Sequence, residues 1–199
     1  MSAKYEIIEK EICYSGFFSI ARLRLRHQKF DGEWSEVLIR ELFERGHAVA
    51  VLPYDPVRDE VVLIEQFRVG ALDFPTEPWL LEIVAGVIEE GENPRQVAER
   101  EALEEAGCII ERMEPVCEYL VSPGGASESI ALFCGKVDAT NIGGVHGVAS
   151  EGEDIQVKVV SYDESIALLK RGLINSASPI IALQWLMMNR GRLRREWQK

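Results

Sequence analysis

The chain is acidic and of medium length, with 199 residues, 47% hydrophobic content and a formal net charge of −11. That length predicts one main domain with a modest addition and leaves enough apolar residues for a core. The acidic balance argues against a broad nucleic-acid-binding surface, and no apolar run reaches the roughly 18 residues of a membrane span. We therefore expect neither a nucleic acid nor a membrane as a partner.

The start of the chain and the cysteines indicate a reducing compartment. Residues 1–12 are charged and lack the apolar stretch of a signal peptide. Four cysteines stand singly, without CxxC spacing, at Cys13, Cys108, Cys117 and Cys134. We expect free thiols and a cytoplasmic location.

The first 45 residues predict a small antiparallel β subdomain. Strands are expected at 5–13, 18–30 and 34–43, and Asp31-Gly32 is a strong hairpin signal between the last two. We expect residues 1–45 to form this subdomain and residues 46–199 to form the main domain.

The main domain alternates predicted strands and helices. Strands are expected at 47–54, 60–66, 80–85, 108–120, 130–137 and 155–161, with helices near 163–172 and 178–190 that stop at Gly172 and Gly191. The glycine-rich, acidic stretch 139–154 has no apolar period, which predicts a long loop. The alternation predicts an α/β domain in which helices cover both faces of a sheet.

An acidic stretch lies between these strands. Residues 82–108 hold eight glutamates against two arginines. Asn93 suits a helix cap, Pro94 the first helical position and Gly107 the stop. On that helix Glu101 and Glu105 share a face, so their negative charges repel. We therefore expect a bound cation to supply positive charge from outside the helix. A solvated acidic face is the alternative.

The spacing of this stretch is more specific than a run of glutamates. It fits Gly-x5-Glu-x7-Arg-Glu-U-x-Glu-Glu-x-Gly-U, where U is apolar, through Gly86, Glu92, Arg100, Glu101, Glu104, Glu105 and Gly107. This is the Nudix box, and the chain resembles the Nudix hydrolases. The resemblance implies an αβα sandwich with a mixed sheet and cleavage of a nucleoside diphosphate joined to another group.

The resemblance also implies a metal site and a base. Two or more Mg²⁺ ions, with Mn²⁺ as a possible substitute, are expected on Glu101, Glu105, Glu153, Glu104 and the carbonyl of Ala85. Glu151 matches the family's general base, and its role could be exchanged with that of Glu153. We expect Arg100 to pair with a nearby glutamate and hold the helix in place, rather than to contact phosphate.

Features outside the box suggest the substrate. Pro123, in SPGG, lies 16 residues beyond Gly107, and together with DPVRDEVVLIEQFR and EGEDI it resembles the branch that hydrolyses ADP-ribose to AMP and ribose 5-phosphate. The implied substrate contacts are Phe17, Phe18, Arg40, Glu41, Arg45, Arg68, Val87, Ser122, Pro123, Gly124 and Glu128.

Three alternatives stay open at this point. The first is a Nudix hydrolase of another sugar nucleotide, such as ADP-glucose or GDP-mannose. The second is a non-catalytic module that senses a nucleotide sugar, although a sensor has no need of the box glutamates. The third is a structural acidic domain.

The aromatic content of the first 45 residues predicts a homodimer. A sheet with so few strands cannot bury its own apolar faces. This short segment nevertheless carries four large aromatic residues: Phe17, Phe18, Phe30 and Trp34. We expect this sheet to pack on a second subunit about a two-fold axis. The resemblance implies an adenine site across that interface, and packing on the chain's own main domain is the alternative.

Overall fold

The computed structural model describes residues 4–148, 150 and 152–198. Its elements, in chain order, are β1 (Tyr5–Ser15), β2 (Ser19–His27), β3 (Leu38–Glu44), β4 (His47–Asp55), β5 (Glu60–Phe67), a 3₁₀ turn (Val69–Ala71), β6 (Trp79–Glu82), β7 (Val84–Ile88), α1 (Pro94–Ala106), β8 (Arg112–Leu120), β9 (Ser129–Lys136), β10 (Gly144–His146), β11 (Ile155–Ser161), α2 (Tyr162–Lys170) and α3 (Ala177–Trp197).

The chain forms two compact units. The smaller unit holds residues 4–47 together with Leu120–Ser129, and the larger unit holds Ala48–Tyr119 and the described residues from Ile130 onward. The predicted division into a dimerisation subdomain, residues 1–45, and a main domain, residues 46–199, stays a prediction.

The smaller unit contains an antiparallel three-stranded sheet in the order β1-β2-β3, as the sequence predicted. One face carries a ladder of ion pairs, among them Arg24–Glu9 at 3.1 Å. The register sets Ile7 opposite Leu25 and Ile12 opposite Ala21 on the other face, which also carries Lys10 and Arg40. Ala21 on the central strand is fully buried, whereas Ile7 and Ile12 on β1 are each 51% exposed, so this face is only half covered along β1.

The larger unit is an αβα sandwich. Its mixed sheet has the order β10-β11-β5-β4-β9-β8, with β6 beside β5 and β7 beside β4. β4 and β9 are parallel, whereas β5 is antiparallel to β4, β6 and β11. The core has one layer against α1 and another against α2 and α3. The predicted fold class is confirmed.

Strand β5 serves both core layers. Val61 and Leu63 pack in the layer with α2 and α3, whereas Val62 and Ile64 pack in the layer with α1. All four side chains are fully buried, and burying each one stabilises the fold by about 1.5–3 kcal/mol. A strand covered on both faces requires the continuous apolar run that the sequence has here.

Several element boundaries differ from the prediction, among them the start of β8 at Arg112 rather than at residue 108. Gly191 does not end α3, because Leu193 and Trp197 are buried beyond it and outweigh the roughly 1 kcal/mol that a helical glycine costs. The stretch 139–154 contains β10, which is held by pairing with β11 rather than by apolar residues of its own. The strand predicted at 80–85 is two strands, β6 and β7, and Trp34 forms only an isolated bridge with Gln28.

None of the helices in the described part of the chain is long and apolar enough to span a membrane.

Asp59 joins the β4–β5 turn to α3. Its backbone is left-handed, with φ of 63°. The Tyr54 hydroxyl donates to its carboxylate at 2.7 Å, Arg190 forms a two-nitrogen ion pair with it, and Arg194 lies at 3.3 Å. The hydrogen bonds from Arg190 are the main reason that the pKa of Asp59 is lowered.

We predict that Asp59→Asn lowers the free energy of unfolding at pH 7 by about 2 kcal/mol, the scale of hydrogen bonds to a charged group. Asparagine tolerates the left-handed backbone, so the change isolates the charge. The lowered pKa stabilises the fold above the unfolded pKa of about 4, and this contribution disappears as the pH falls through the folded pKa. Urea unfolding at several pH values measures the difference between the two proteins.

Asp31→Asn is the matched control, because Asp31 pairs with Lys29 on an exposed loop of the smaller unit. It should change the stability far less at pH 7. An Asp59→Asn protein that unfolds at the same urea concentration as the wild type at pH 7 would contradict the assignment.

Candidate active site

The glutamates of the acidic stretch lie on α1, whose ends have the predicted caps. The Asn93 side chain accepts from the N–H of Arg95 at 2.9 Å, and Pro94 occupies the first turn. Gly107 adopts the left-handed conformation that favours glycine, and Cys108 N–H donates back to the carbonyl of Ala102 at 2.8 Å. The helix is thereby fixed at both ends.

Glu105 lies on the buried face of this helix, with only 3% of its surface exposed. The backbone N–H of Ala85 on β7 donates to its Oε2 at 3.0 Å. Burial is the main reason that its pKa is raised to about 8. The charges of Glu101 and Glu153 raise it as well, whereas the Ala85 N–H and the charge of Arg68 lower it.

Glu101 lies one helical turn before Glu105 and passes close over the backbone of Gly86. A Cβ at position 86 would overlap the carboxyl end of Glu101, so only glycine leaves room for this side chain. The Arg100 guanidinium pairs with Glu101 at 2.9 Å, Glu104 at 3.4 Å and Glu92 at 3.7 Å. Arg100 thus contacts three glutamates of the box, while its structural role stays a prediction.

Glu92 also stabilises the turn before the helix. Its Oε2 accepts from the backbone N–H of Glu89 at 2.9 Å. The same carboxylate therefore links the turn after β7 to Arg100 on α1.

The long loop before β11 reaches this region through Glu153. Glu153 accepts from the backbone N–H of Val148 at 2.9 Å, and its charge acts on Glu105. His146 on β10 lies beside Gly107 at the end of α1. Glu151, the predicted base, lies outside the described residues.

The acidic side chains near Glu105 are held by separate partners. Within residues 4–148, 150 and 152–198, no three His, Cys, Asp or Glu side chains are close enough to hold one metal ion. The predicted ligands Glu105 and Glu153 instead accept from backbone N–H groups, and Glu101 faces Arg100. Shared coordination requires these carboxylates to turn toward one another.

An ion pair that the sequence did not predict lies beside this cluster. Arg68 donates from Nε to Glu82 Oε2 at 2.6 Å, and the Glu82 side chain is only 15% exposed. Glu82 belongs to the acidic stretch, but no motif position marked it as a site residue. Val87, a predicted substrate contact on β7, is 47% exposed.

The smaller unit brings several predicted nucleotide contacts together. The Phe17 and Phe18 rings meet edge to face at 4.7 Å, and the Arg45 guanidinium lies 5.2 Å from the Phe18 ring centre. Arg45 also pairs at 3.4 Å with Glu128, which is 5% exposed. Phe17 is 91% exposed, so an aromatic face is open to solvent beside this ion pair.

The segment 120–129 reaches Arg45 by pairing with β3. Phe43 N–H donates to the carbonyl of Gly125 at 2.8 Å, and Ser127 N–H donates back to the carbonyl of Phe43 at 3.1 Å. The remaining predicted contacts of the smaller unit are exposed: Arg40, Glu41, Ser122, Pro123 and Gly124.

An αβα sandwich whose central helix carries glutamates at the box spacing defines the Nudix class of folds. Residues 44–183 match the family model described as NUDIX domain. The match covers more than half of the chain, and the chain therefore belongs to the Nudix family.

Relatives with known names extend over nearly the whole chain. The chain is 53% identical over 192 residues to an ADP-ribose pyrophosphatase of Escherichia coli strain K12, covering 96% of this chain and 92% of the relative. It is 42% identical to an ADP-ribose pyrophosphatase of Haemophilus influenzae, with 98% and 91% covered. It is 33% identical to a GDP-mannose pyrophosphatase of Cronobacter sakazakii, with 94% and 97% covered.

A solved structure shows the same fold. The crystal structure of an ADP compounds hydrolase superposes with a TM-score of 0.72 at 21% identity, over 96% of this chain and 97% of that chain.

We predict that Gly86→Ala leaves the fold intact and weakens cation binding by about 10–100-fold, the range seen when the support of a metal ligand is disturbed. The added methyl group displaces the carboxyl end of Glu101, which is flexible enough to move without unfolding the helix. The measurement is the rise in melting temperature as Mg²⁺ or Mn²⁺ is titrated.

Gly70→Ala is the control, because a Cβ there meets no atom within 4 Å. It should give the wild-type titration curve. Equal cation affinity in Gly86→Ala and Gly70→Ala would show that the close approach of Gly86 to Glu101 has no role in binding.

Proposed function

We propose that the chain is a Mg²⁺-dependent hydrolase that cleaves the diphosphate bond of ADP-ribose to give AMP and ribose 5-phosphate. The observation that carries the proposal is the buried Glu105 beneath the box helix, with the charges of Glu101 and Glu153 acting on it. The 53% identity to an ADP-ribose pyrophosphatase supports the choice of substrate.

The donor set fits a hard divalent cation. Carboxylate and carbonyl oxygens are the ligands that Mg²⁺ accepts, and it also binds substrate phosphates. We assign Glu101, Glu105 and Glu153 as ligands, with the Ala85 carbonyl and Glu104 as further ones, for two or more Mg²⁺ ions or Mn²⁺ in their place. When bound, the ions neutralise the diphosphate and make phosphorus a better electrophile.

The reaction itself needs a base for water. We assign this role to Glu151, with Glu153 as the alternative. The water oxygen bonds to phosphorus, the bond from that phosphorus to the bridging oxygen breaks, and the water proton passes to the carboxylate. A positioned base contributes about 10²–10⁴-fold to the rate.

The aromatic cluster of the smaller unit suits the nucleotide. We assign Phe17 and Phe18 to the adenine ring, and Arg40, Arg45 and Arg68 to the phosphates or to stacking on adenine, since guanidinium does both. The 91% exposure of Phe17 supports a role in binding rather than in the core. Glu41, Val87, Ser122, Pro123, Gly124 and Glu128 complete the proposed substrate contacts.

A second substrate class has a specific observation in its favour, the 33% identity to a GDP-mannose pyrophosphatase. A panel of ADP-ribose, ADP-glucose and GDP-mannose with Mg²⁺, with products identified by mass, separates the candidates. The fastest turnover is expected for ADP-ribose, giving AMP and ribose 5-phosphate. Faster turnover of GDP-mannose overturns the assignment, and binding without turnover identifies a nucleotide-sugar sensor.

We predict that Glu105→Gln lowers turnover by at least about 10²-fold at saturating Mg²⁺, on the scale of lost catalytic electrostatics. The amide keeps the shape but removes the charge, and it relieves the repulsion with Glu101, so the melting temperature should not fall. Glu99→Gln, on the exposed side of the same helix, is the control and should be as active as the wild type. Near-normal turnover of Glu105→Gln would remove it from the ligand set.

We propose that two chains form a homodimer through the predicted subdomain of residues 1–45, which belongs to the smaller unit. All residues of β1 are exposed, and Ile7 and Ile12 are each half exposed on one face of its sheet. Apolar faces of this kind mark interaction surfaces. In the dimer, Phe17 or Phe18 of one chain reaches the nucleotide held by Arg40 and Arg68 of the other.

We predict that the double substitution Ile7→Lys and Ile12→Lys converts the protein to a monomer and reduces ADP-ribose turnover, because two buried lysines oppose association. Light scattering on a sizing column at micromolar concentration gives the mass. Val57→Lys, which charges an exposed apolar residue in a turn of the larger unit, is the control. A fully active wild-type monomer would rule out the shared site.

We propose a cytoplasmic location and no role in binding nucleic acid or membrane. All four cysteines are free thiols, which suits a reducing compartment. The net charge of −11 opposes binding to polyanions.

A further inference from the structure

Gln66, near the end of β5, is a buried amide whose donor has no acceptor. The residue is 7% exposed, and within the described part of the chain no atom accepts from its Nε2. An unpaired buried donor lowers the stability of a fold, and in native proteins such groups are rare. Gln66 therefore requires an explanation that packing does not provide.

The pleat of β5 places Gln66 on the face of the proposed metal site. Val62 and Ile64 pack in the core layer with α1, and side chains two apart along a strand share a face. Gln66 is the next residue on that face, and Glu105 is anchored in the same layer of the fold through its bond to β7. The amide thus points to the α1 side of the sheet.

The strand register places the Arg68–Glu82 ion pair next to Gln66. Gln66 lies directly opposite Leu80, and Ile64 lies opposite Glu82. Glu82 is therefore the diagonal neighbour of Gln66 on the same face, a distance that two long side chains span. Arg68, which holds Glu82 at 2.6 Å, also acts electrostatically on Glu105.

The other strand neighbours that the register sets beside Gln66 are apolar. β11 pairs with β5 so that Gln156 lies opposite Glu65, and the same register carried one residue further sets the apolar Ile155 beside Gln66. Ile64 and Leu80 are apolar too. Of the side chains that the register sets around Gln66, Glu82 is the one that can accept its hydrogen bond.

We propose that Gln66 is a positioning residue for diphosphate binding, and that its amide donates to Glu82 when Arg68 turns its guanidinium to the substrate phosphates. In the free protein, Arg68 forms an ion pair with Glu82. When the Arg68 guanidinium binds the substrate phosphates instead, the largely buried Glu82 carboxylate needs another hydrogen-bond donor. The uncharged Gln66 amide supplies it. The new hydrogen bond lowers the free-energy cost of breaking the Arg68–Glu82 ion pair. The proposal rests on the proposed function, in which Arg68 binds substrate.

The test is Gln66→Met, which keeps the length of the side chain and removes the donor. A structural role predicts a lower melting temperature, whereas a positioning role predicts an unchanged or higher one, because a buried unpaired donor is removed. We expect that result together with a KM for ADP-ribose raised about 5–10-fold, the net scale of one typical hydrogen bond, and a smaller change in kcat.

Gln156→Met is the matched control, because the Gln156 amide already donates to the carbonyls of Gly144 and Val157. It should lower the melting temperature slightly and leave the KM unchanged.

A double-mutant cycle with Glu82→Gln tests the route of the effect. If Gln66 acts through Glu82, Gln66→Met has little effect on the KM in the Glu82→Gln background, because residues in contact are not additive. Additive effects, a wild-type KM in Gln66→Met, or a loss of activity that only follows a fall in melting temperature each overturn the proposal. A wild-type protein that hydrolyses no diphosphate of the panel overturns the proposed function itself.

Discussion

The burial of one carboxylate, Glu105, is the constraint on which the rest of the site depends. An ionised group at 3% exposure is costly, and the single N–H of Ala85 offsets only part of that cost. The charges of Glu101 and Glu153 add to it, and the pKa near 8 expresses the sum. In the proposed function, the positive charge of a bound divalent cation offsets this repulsion, so carboxylates that are unfavourable for folding become favourable for binding a diphosphate.

Arginines divide the remaining charge of the site. Arg100 holds the outer glutamates of the box against the helix, whereas Arg68 holds Glu82 on the neighbouring strand. The two differ in what release costs. Arg100 pairs with three carboxylates, whereas Arg68 pairs with Glu82, so in the proposed function a substrate phosphate competes with a single ion pair for Arg68. The proposed role of Gln66 depends on that difference.

The smaller unit brings together aromatic rings and an arginine, the combination that the proposed nucleotide contacts need. Phe18 packs between the Phe17 ring and the Phe43 ring, and Arg45 lies over it while paired with the buried Glu128. The ion pair fixes the guanidinium, so less side-chain entropy is lost when a ligand arrives. In the proposed dimer, the face of this sheet with Ile7 and Ile12 packs on the second chain.

The sequence by itself determined the parts that depend on neighbours within one or two turns. The helix and its acidic face could be predicted because they depend on local features, the caps at Asn93 and Gly107 and the four-residue spacing of Glu101 and Glu105. The αβα class could be predicted from the alternation of strands and helices and from the family resemblance. Tertiary structure alone decided which carboxylate is buried, because that depends on β7 coming to lie under α1. It also placed Glu82 against Arg68, left the Gln66 amide unpaired, and carried α3 past Gly191. These outcomes depend on strand register and core packing between distant segments, which no local pattern encodes.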